Sequence, residues 1–76
     1  MEVFVLSVFD RDMRPRSDMV TTSIFQRKED AVEAMIKDIG STKVNELLMD
    51  DDVKCYDNFA FSRDGRFVWK IQSHTL

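Results

Sequence analysis

Between Asn58 and Ile71 the chain alternates apolar and polar residues with a period of two on both sides of Asp64-Gly65. Phe59 and Phe61 alternate with Ala60 and Ser62, and Phe67, Trp69 and Ile71 alternate with Val68 and Lys70. That pattern around a turn signal predicts a β-hairpin. A two-residue loop at Asp64-Gly65 pairs Phe61 with Val68 and Phe59 with Lys70, dividing the aromatic residues between the two faces. A three-residue loop, Arg63-Asp64-Gly65, pairs Phe61 with Phe67 and Phe59 with Trp69 on one face. A slip of one residue moves a whole set of side chains to the opposite face, so the second register is expected, with Trp69 as the core anchor. It also suits a type I turn closed by Gly65 in the left-handed conformation.

Glu2 to Phe9 is apolar on both sides: Val3, Val5 and Phe9 on one, Phe4, Leu6 and Val8 on the other. Such a run predicts a central strand. Asp10 to Met19 reads as a polar loop with Pro15 fixing its backbone. Val20 to Phe25, rich in β-branched residues, predicts a second strand, antiparallel to the first, at an edge or half-exposed. Lys28 to Ile39 predicts a helix whose stripe is Ala31, Val32, Met35, Ile36 and Ile39, ended by Gly40. Ser41 or Thr42 then caps a second short helix running to about Met49, with Val44, Leu47 and Leu48 on one face. Asp50, Asp51 and Asp52 oppose the dipole at the end of that helix. Gln72 to Leu76 either extends the last strand or is disordered. The expected fold is α+β: a single domain over residues 1–76, with an antiparallel sheet of about four strands, the main helix across one face and the short helix at its end.

Seventy-six residues with a hydrophobic fraction of 43% suffice for one core, although a chain of this length buries only roughly 60% of its unfolded surface. One cysteine, Cys55, forms no internal disulfide and fits a reducing, cytoplasmic compartment. No apolar run approaches the roughly 20 residues of a membrane span. The opening Met1-Glu2-Val3-Phe4 lacks the basic start of a signal peptide. The net charge is −3, and residues 29–57 alone carry nine acidic against three basic groups. There is no dense basic stripe of the kind that nucleic-acid binding usually shows.

Candidate chemistry is sparse. Asp50, Asp51, Asp52 and Asp57 offer oxygen ligands, but without the alternating spacing, glycine or closing glutamate of a calcium loop. His74 is the only histidine, and two glycines build no phosphate loop. No metal, cofactor or catalysis is expected. Two interfaces remain. Glu46, Asp50, Asp51, Asp52 and Asp57 make an acidic patch that imitates nucleic-acid phosphates towards a basic partner. The first strand, apolar on both sides, leaves one of two sets uncovered by a single helix, either Val3, Val5 and Phe9 or Phe4, Leu6 and Val8 (the latter three taken as the candidates), and a homodimer buries it about a two-fold axis. A nucleic-acid module, in which Arg63, Arg66 and Lys70 contact a single strand beside exposed aromatics, is the alternative. It ranks second because the expected register buries the aromatics.

The order of elements is an apolar strand, a polar loop, a short strand ending Ile24-Phe25, a helix opening Arg27-Lys28-Glu29-Asp30-Ala31, and a closing hairpin with Trp69. It resembles small uncharacterised accessory proteins of bacteriophages and prophages with a strand-strand-helix-strand-strand pattern. The likeness covers most of the chain and carries no catalytic residues. What it implies is a non-enzymatic role in the host cytoplasm, binding or inhibiting a host protein, in some cases a defence protein.

Overall fold

The computed structural model describes residues 1–11 and 19–76. Pro15 and the body of the loop expected between Asp10 and Met19 lie outside them. The elements are β1 (Glu2–Asp10), β2 (Met19–Phe25), α1 (Lys28–Asn45), a 3-10 turn (Asp50–Asp52), β3 (Val53–Cys55), β4 (Phe59–Ser62) and β5 (Phe67–Thr75). They form an α+β fold with one antiparallel sheet in the order β2-β1-β5-β4-β3. The sheet has five strands where about four were expected. The additional one, β3, is three residues long, too short for a period of two to declare itself in the sequence. β1 is central as expected, and β5 pairs with it along its whole length, from Asp10 opposite Phe67 to Glu2 opposite Thr75. The tail therefore extends the last strand.

The helix does not stop at Gly40. Its buried residues Ala31, Met35 and Ile39 recur every four residues, and Gly40 faces open space, with nothing within 4 Å of where a Cβ would lie. A glycine there costs only about 1 kcal/mol, which neighbouring turns packed on the sheet override. The helix ends after Asn45, where the Leu48 N–H donates to the Lys43 carbonyl at 2.8 Å and the Glu46 N–H to that of Thr42 at 2.9 Å. Leu47 takes the left-handed position of this wrap, with φ of 57°, a place usually filled by glycine. The expected second helix is thus an extension of the first, followed by a 3-10 turn. The three aspartates open that turn rather than close a helix, and Asp52 Oδ2 accepts the Met49 N–H at 2.8 Å. Ile36, expected on the stripe, is 56% exposed.

Beneath α1 lie Leu6, Val53, Ala60, Phe67, Trp69 and Ile71, with Phe4, Val8 and Phe25 packed around them. Trp69 is wholly buried, and its indole Nε1–H donates to Asp38 Oδ2 at 2.6 Å. This satisfies a polar group that burial would otherwise penalise. The hairpin register is Ala60 opposite Trp69, Phe61 opposite Val68 and Phe59 opposite Lys70. The three-residue-loop register, with Phe59 facing Trp69, is not formed. Two local causes decide this. The Ser62 hydroxyl accepts the Phe67 N–H at 2.8 Å and donates to Asp64 Oδ1 at 2.7 Å, while the Arg66 N–H donates to the same oxygen at 3.0 Å. Four residues, Arg63 to Arg66, therefore lie between the linked Ser62 and Phe67, with Gly65 left-handed as expected at φ 79°. The second cause is space: the methyl of Ala60, not a phenyl ring, stands beside Trp69 under the helix.

Trp69→Ala is expected to cost about 3–5 kcal/mol, whereas Phe59→Ala, at a residue 39% exposed, costs about 1 kcal/mol. Urea denaturation of both variants checks the contrast; equal costs would return Phe59 to the core. Leu47→Gly is expected to raise stability by about 1 kcal/mol, since it removes left-handed strain at a side chain 87% exposed. A lowered melting temperature in that variant would contradict the assignment of strain.

Candidate functional site

Side-chain alternation gives each strand one helix-facing set and one opposite set. The helix-facing set of β1 is Phe4, Leu6 and Val8, so these three interface candidates lie inside the fold: Leu6 is buried and the other two pack against the core. The set turned away is Val3, Val5 and Phe9. α1 is the only helix among the described residues, and it lies on the other side. The molecule measures 38 × 28 × 16 Å, and its short axis accommodates one sheet and one helix. No helix among the described residues lies on the sheet face opposite α1; on that face Phe59 and Lys70 are exposed, Val5, Phe9, Phe61 and Val68 are half-buried, and Val3 is buried.

That open face is where the hairpin register places the remaining aromatics. Phe59 and Phe61 project from β4, and Tyr56, from the turn after β3, joins them. The ring centroids are 4.9 Å apart for Tyr56–Phe59, 5.9 Å for Phe59–Phe61 and 6.3 Å for Tyr56–Phe61, with planes within 20° of one another. Lys70 stands near the middle of the face, between Ser7 of β1 and Phe59 of β4. Lys54 lies opposite Phe61 on the outer strand. The two lysines are two strands and two residues apart, or about 12 Å between Cα atoms. No strand position on this face carries a carboxylate among the described residues. A chain of net charge −3 therefore presents one apolar, aromatic and cationic surface.

The other sequence candidates are distributed elsewhere. Arg66 belongs to the helix side, where its Nε donates to Asp10 Oδ1 at 3.1 Å and its Nη1 to Glu46 Oε1 at 2.8 Å. The guanidinium also covers the Phe67 ring at 4.5 Å. The hydrogen bond to Asp10 is the largest cause holding its pKa above the ordinary value. Arg66 thus ties β1, β5 and the end of α1 together, and does not join Lys70. Arg63 is exposed at the turn, its backbone N–H donating to the Asp52 carbonyl at 2.7 Å.

The acidic candidates do not make one patch. Asp57 pairs with Lys28 at 2.7 Å at the start of α1, and Asp50 with Lys43 at 3.4 Å near its end. Fifteen residues of helix, about 22 Å, separate the two sites. Glu46 is held by Arg66 and Asp52 by the Met49 N–H, while Asp51 is exposed. These exposed pairs each contribute little to stability.

Cys55 and His74 are both exposed. A hollow of about 350 Å³ lined by Leu48, Asp52, Ser62, Arg63 and Asp64 has polar groups that already bond one another. The open face can bury apolar surface and attract negative charge. Val3, Val5 and Phe9 are the other of the two β1 sets weighed from the sequence, whereas Lys54 and Tyr56 were not anticipated as site residues. The signal for much of the face was present in the two-residue-loop register, which sets Phe59, Phe61 and Lys70 on one side. No helix is long and apolar enough to cross a membrane among the described residues. No family model, curated protein or solved structure matches the chain.

The Arg66 N–H, and after it the Ser62 hydroxyl, stabilise ionised Asp64 and hold its carboxyl below the ordinary 3.8. A depressed folded-state pKa contributes stability that is complete above the unfolded value and lost as pH falls through the folded one. The melting temperature is therefore expected to drop in acid, and Asp64→Asn to flatten that drop. An acid limb identical in the variant and the parent would contradict the turn's role.

Proposed function

We propose that this chain is a small non-enzymatic interaction module that binds another protein through the open face of its sheet. The observation that carries this reading is the Tyr56–Phe59–Phe61 cluster beside Lys54 and Lys70, on a face without carboxylates. Contiguous exposed apolar surface rimmed by polar groups is the usual mark of a partner site. Aromatic side chains are enriched where binding energy concentrates. The lysines select a partner whose docking surface is apolar and acidic, since complementary charge guides encounter and excludes like-charged surfaces. The resemblance to phage and prophage accessory proteins makes a host protein the partner class, with inhibition by occupation as the mode of action.

A second reading has one specific observation in its favour. The aromatics that the sequence placed in the core stand in the open beside Lys70, and single-stranded nucleic acid is bound by stacking bases on such rings while cations meet the phosphates. Salt separates the two readings. Two phosphate contacts give a slope of about −1.4 in log affinity against log salt for a single strand, whereas a largely apolar protein interface responds weakly.

The test uses the immobilised chain and bacterial lysate. A protein retained by the parent and by the helix-face control Glu33→Gln, but lost with Phe59→Ser/Lys70→Glu, is the expected result. Retention of the same proteins by all three would remove the open face as the binding surface. Salt-sensitive retention of a labelled oligonucleotide would establish the second reading in its place.

A further inference from the structure

The two edges of the sheet are built differently. The β3 edge is three residues long, carries exposed Lys54 and follows three aspartates, a short and charged edge of the sort that discourages pairing. The β2 edge, Met19–Phe25, has seven residues without a charge, a proline or a glycine, and four of them are β-branched. Among the described residues it pairs on one side only, with β1 from Phe4 to Asp10. Thr21, Thr22, Ser23 and Ile24 are all exposed, Ile24 at 68%. An edge of this length and composition presents a row of open backbone N–H and C=O groups with nothing to repel another strand.

We propose that β2 pairs with β2 of a second copy, antiparallel about a two-fold axis at Thr22, to give a continuous sheet across two chains. Two identical antiparallel strands close on themselves about such an axis, and here the residue types fit it. With Thr22 opposite Thr22 of the copy, Thr21 meets Ser23, Val20 meets Ile24 and Met19 meets Phe25. Every hydroxyl-bearing residue is opposite another, and every apolar residue is opposite an apolar one. A shift of one residue sets Val20 against Ser23 and throws the two helices to opposite sides of the sheet. A shift of two sets Ile24, or Val20, against Thr22. Only the Thr22-centred register matches along the whole strand.

A copy fits the edge better than it fits the open face. Face-to-face packing would bring Lys70 and Lys54 of one chain to the lysines of the other, with no carboxylate on that face to offset them. Edge pairing leaves the face free and sets two such faces on the same side of one sheet, so that a partner with repeated sites is held twice. The proposal concerns the edge alone and stands whether or not the open face binds a protein.

Light scattering and sedimentation across the micromolar range test it with the full chain. The parent is expected to move from 8.9 kDa towards twice that mass with rising concentration. Thr22→Lys and Thr22→Glu each place like charges opposite one another, raising the dimer Kd by about tenfold or more. An equimolar mixture of the two restores dimers, because the charges then attract. Circular dichroism and Trp69 fluorescence matching the parent show that each variant is folded. As a measurement without substitution, amide exchange over residues 19–25 slows as the parent is concentrated. A parent of 8.9 kDa at every concentration, a dimer indifferent to Thr22→Lys, or exchange in 19–25 that ignores concentration would each overturn the proposal.

Discussion

Trp69 lies fully beneath α1, with its indole donating to Asp38, while Ala60 stands opposite it on β4. The rest of the molecule follows from that pairing. An indole under a helix needs a small neighbour on the adjoining strand, since cores are close-packed and an additional ring would force strain. Because side chains alternate, placing Ala60 inside places Phe59 and Phe61 outside. The Ser62 hydroxyl, buried and bonded to both Phe67 and Asp64, locks this choice at the turn. The aromatic content is thereby divided. Phe67 and Trp69 build the core, and Tyr56, Phe59 and Phe61 build a surface.

This division is what gives the protein two chemically distinct sides. The helix and its flanking turns hold most of the carboxylates and the ion pairs that quiet them, such as Lys28–Asp57 and Arg66–Glu46. The opposite sheet face holds rings, aliphatic side chains and two lysines, together with Ser7, Thr22, Gln72 and His74. A net charge of −3 conceals that polarity, and composition alone therefore argued against any attraction to anionic partners. The uncharged β2 edge adds a second unguarded feature, at right angles to the first, so that the proposed self-pairing and the proposed partner binding need not compete.

Much of the architecture was legible in the sequence because its signals are strong and local. The apolar run Val3 to Phe9 announced a central strand, the β-branched run ending in Phe25 an edge strand, and the four-residue recurrence from Ala31 to Ile39 a helix. What could not be read were choices between locally equivalent options. Both hairpin registers satisfied the period of two, and the difference lay in a serine hydroxyl and a methyl-sized space that no periodicity encodes. Gly40 looked like a helix end, but an exposed glycine is a small penalty beside the packing of the turns on either side. β3 was hidden because three residues have no period. The hairpin part of the candidate site inherited the register error: Lys70 was named without its aromatic neighbours, and Arg66 was named although it closes the helix side; of the two β1 sets that the sequence left open, Phe4, Leu6 and Val8 lie under the helix.

The most direct measurement is a set of cross-strand nuclear Overhauser contacts across the hairpin in solution. Backbone contacts linking Ala60 with Trp69 and Phe61 with Val68 are the predicted result, and they place Phe59 and Phe61 on the open face. Contacts linking Phe59 with Trp69 and Phe61 with Phe67 would put Phe59 and Phe61 under the helix, and the surface proposed for binding would not exist.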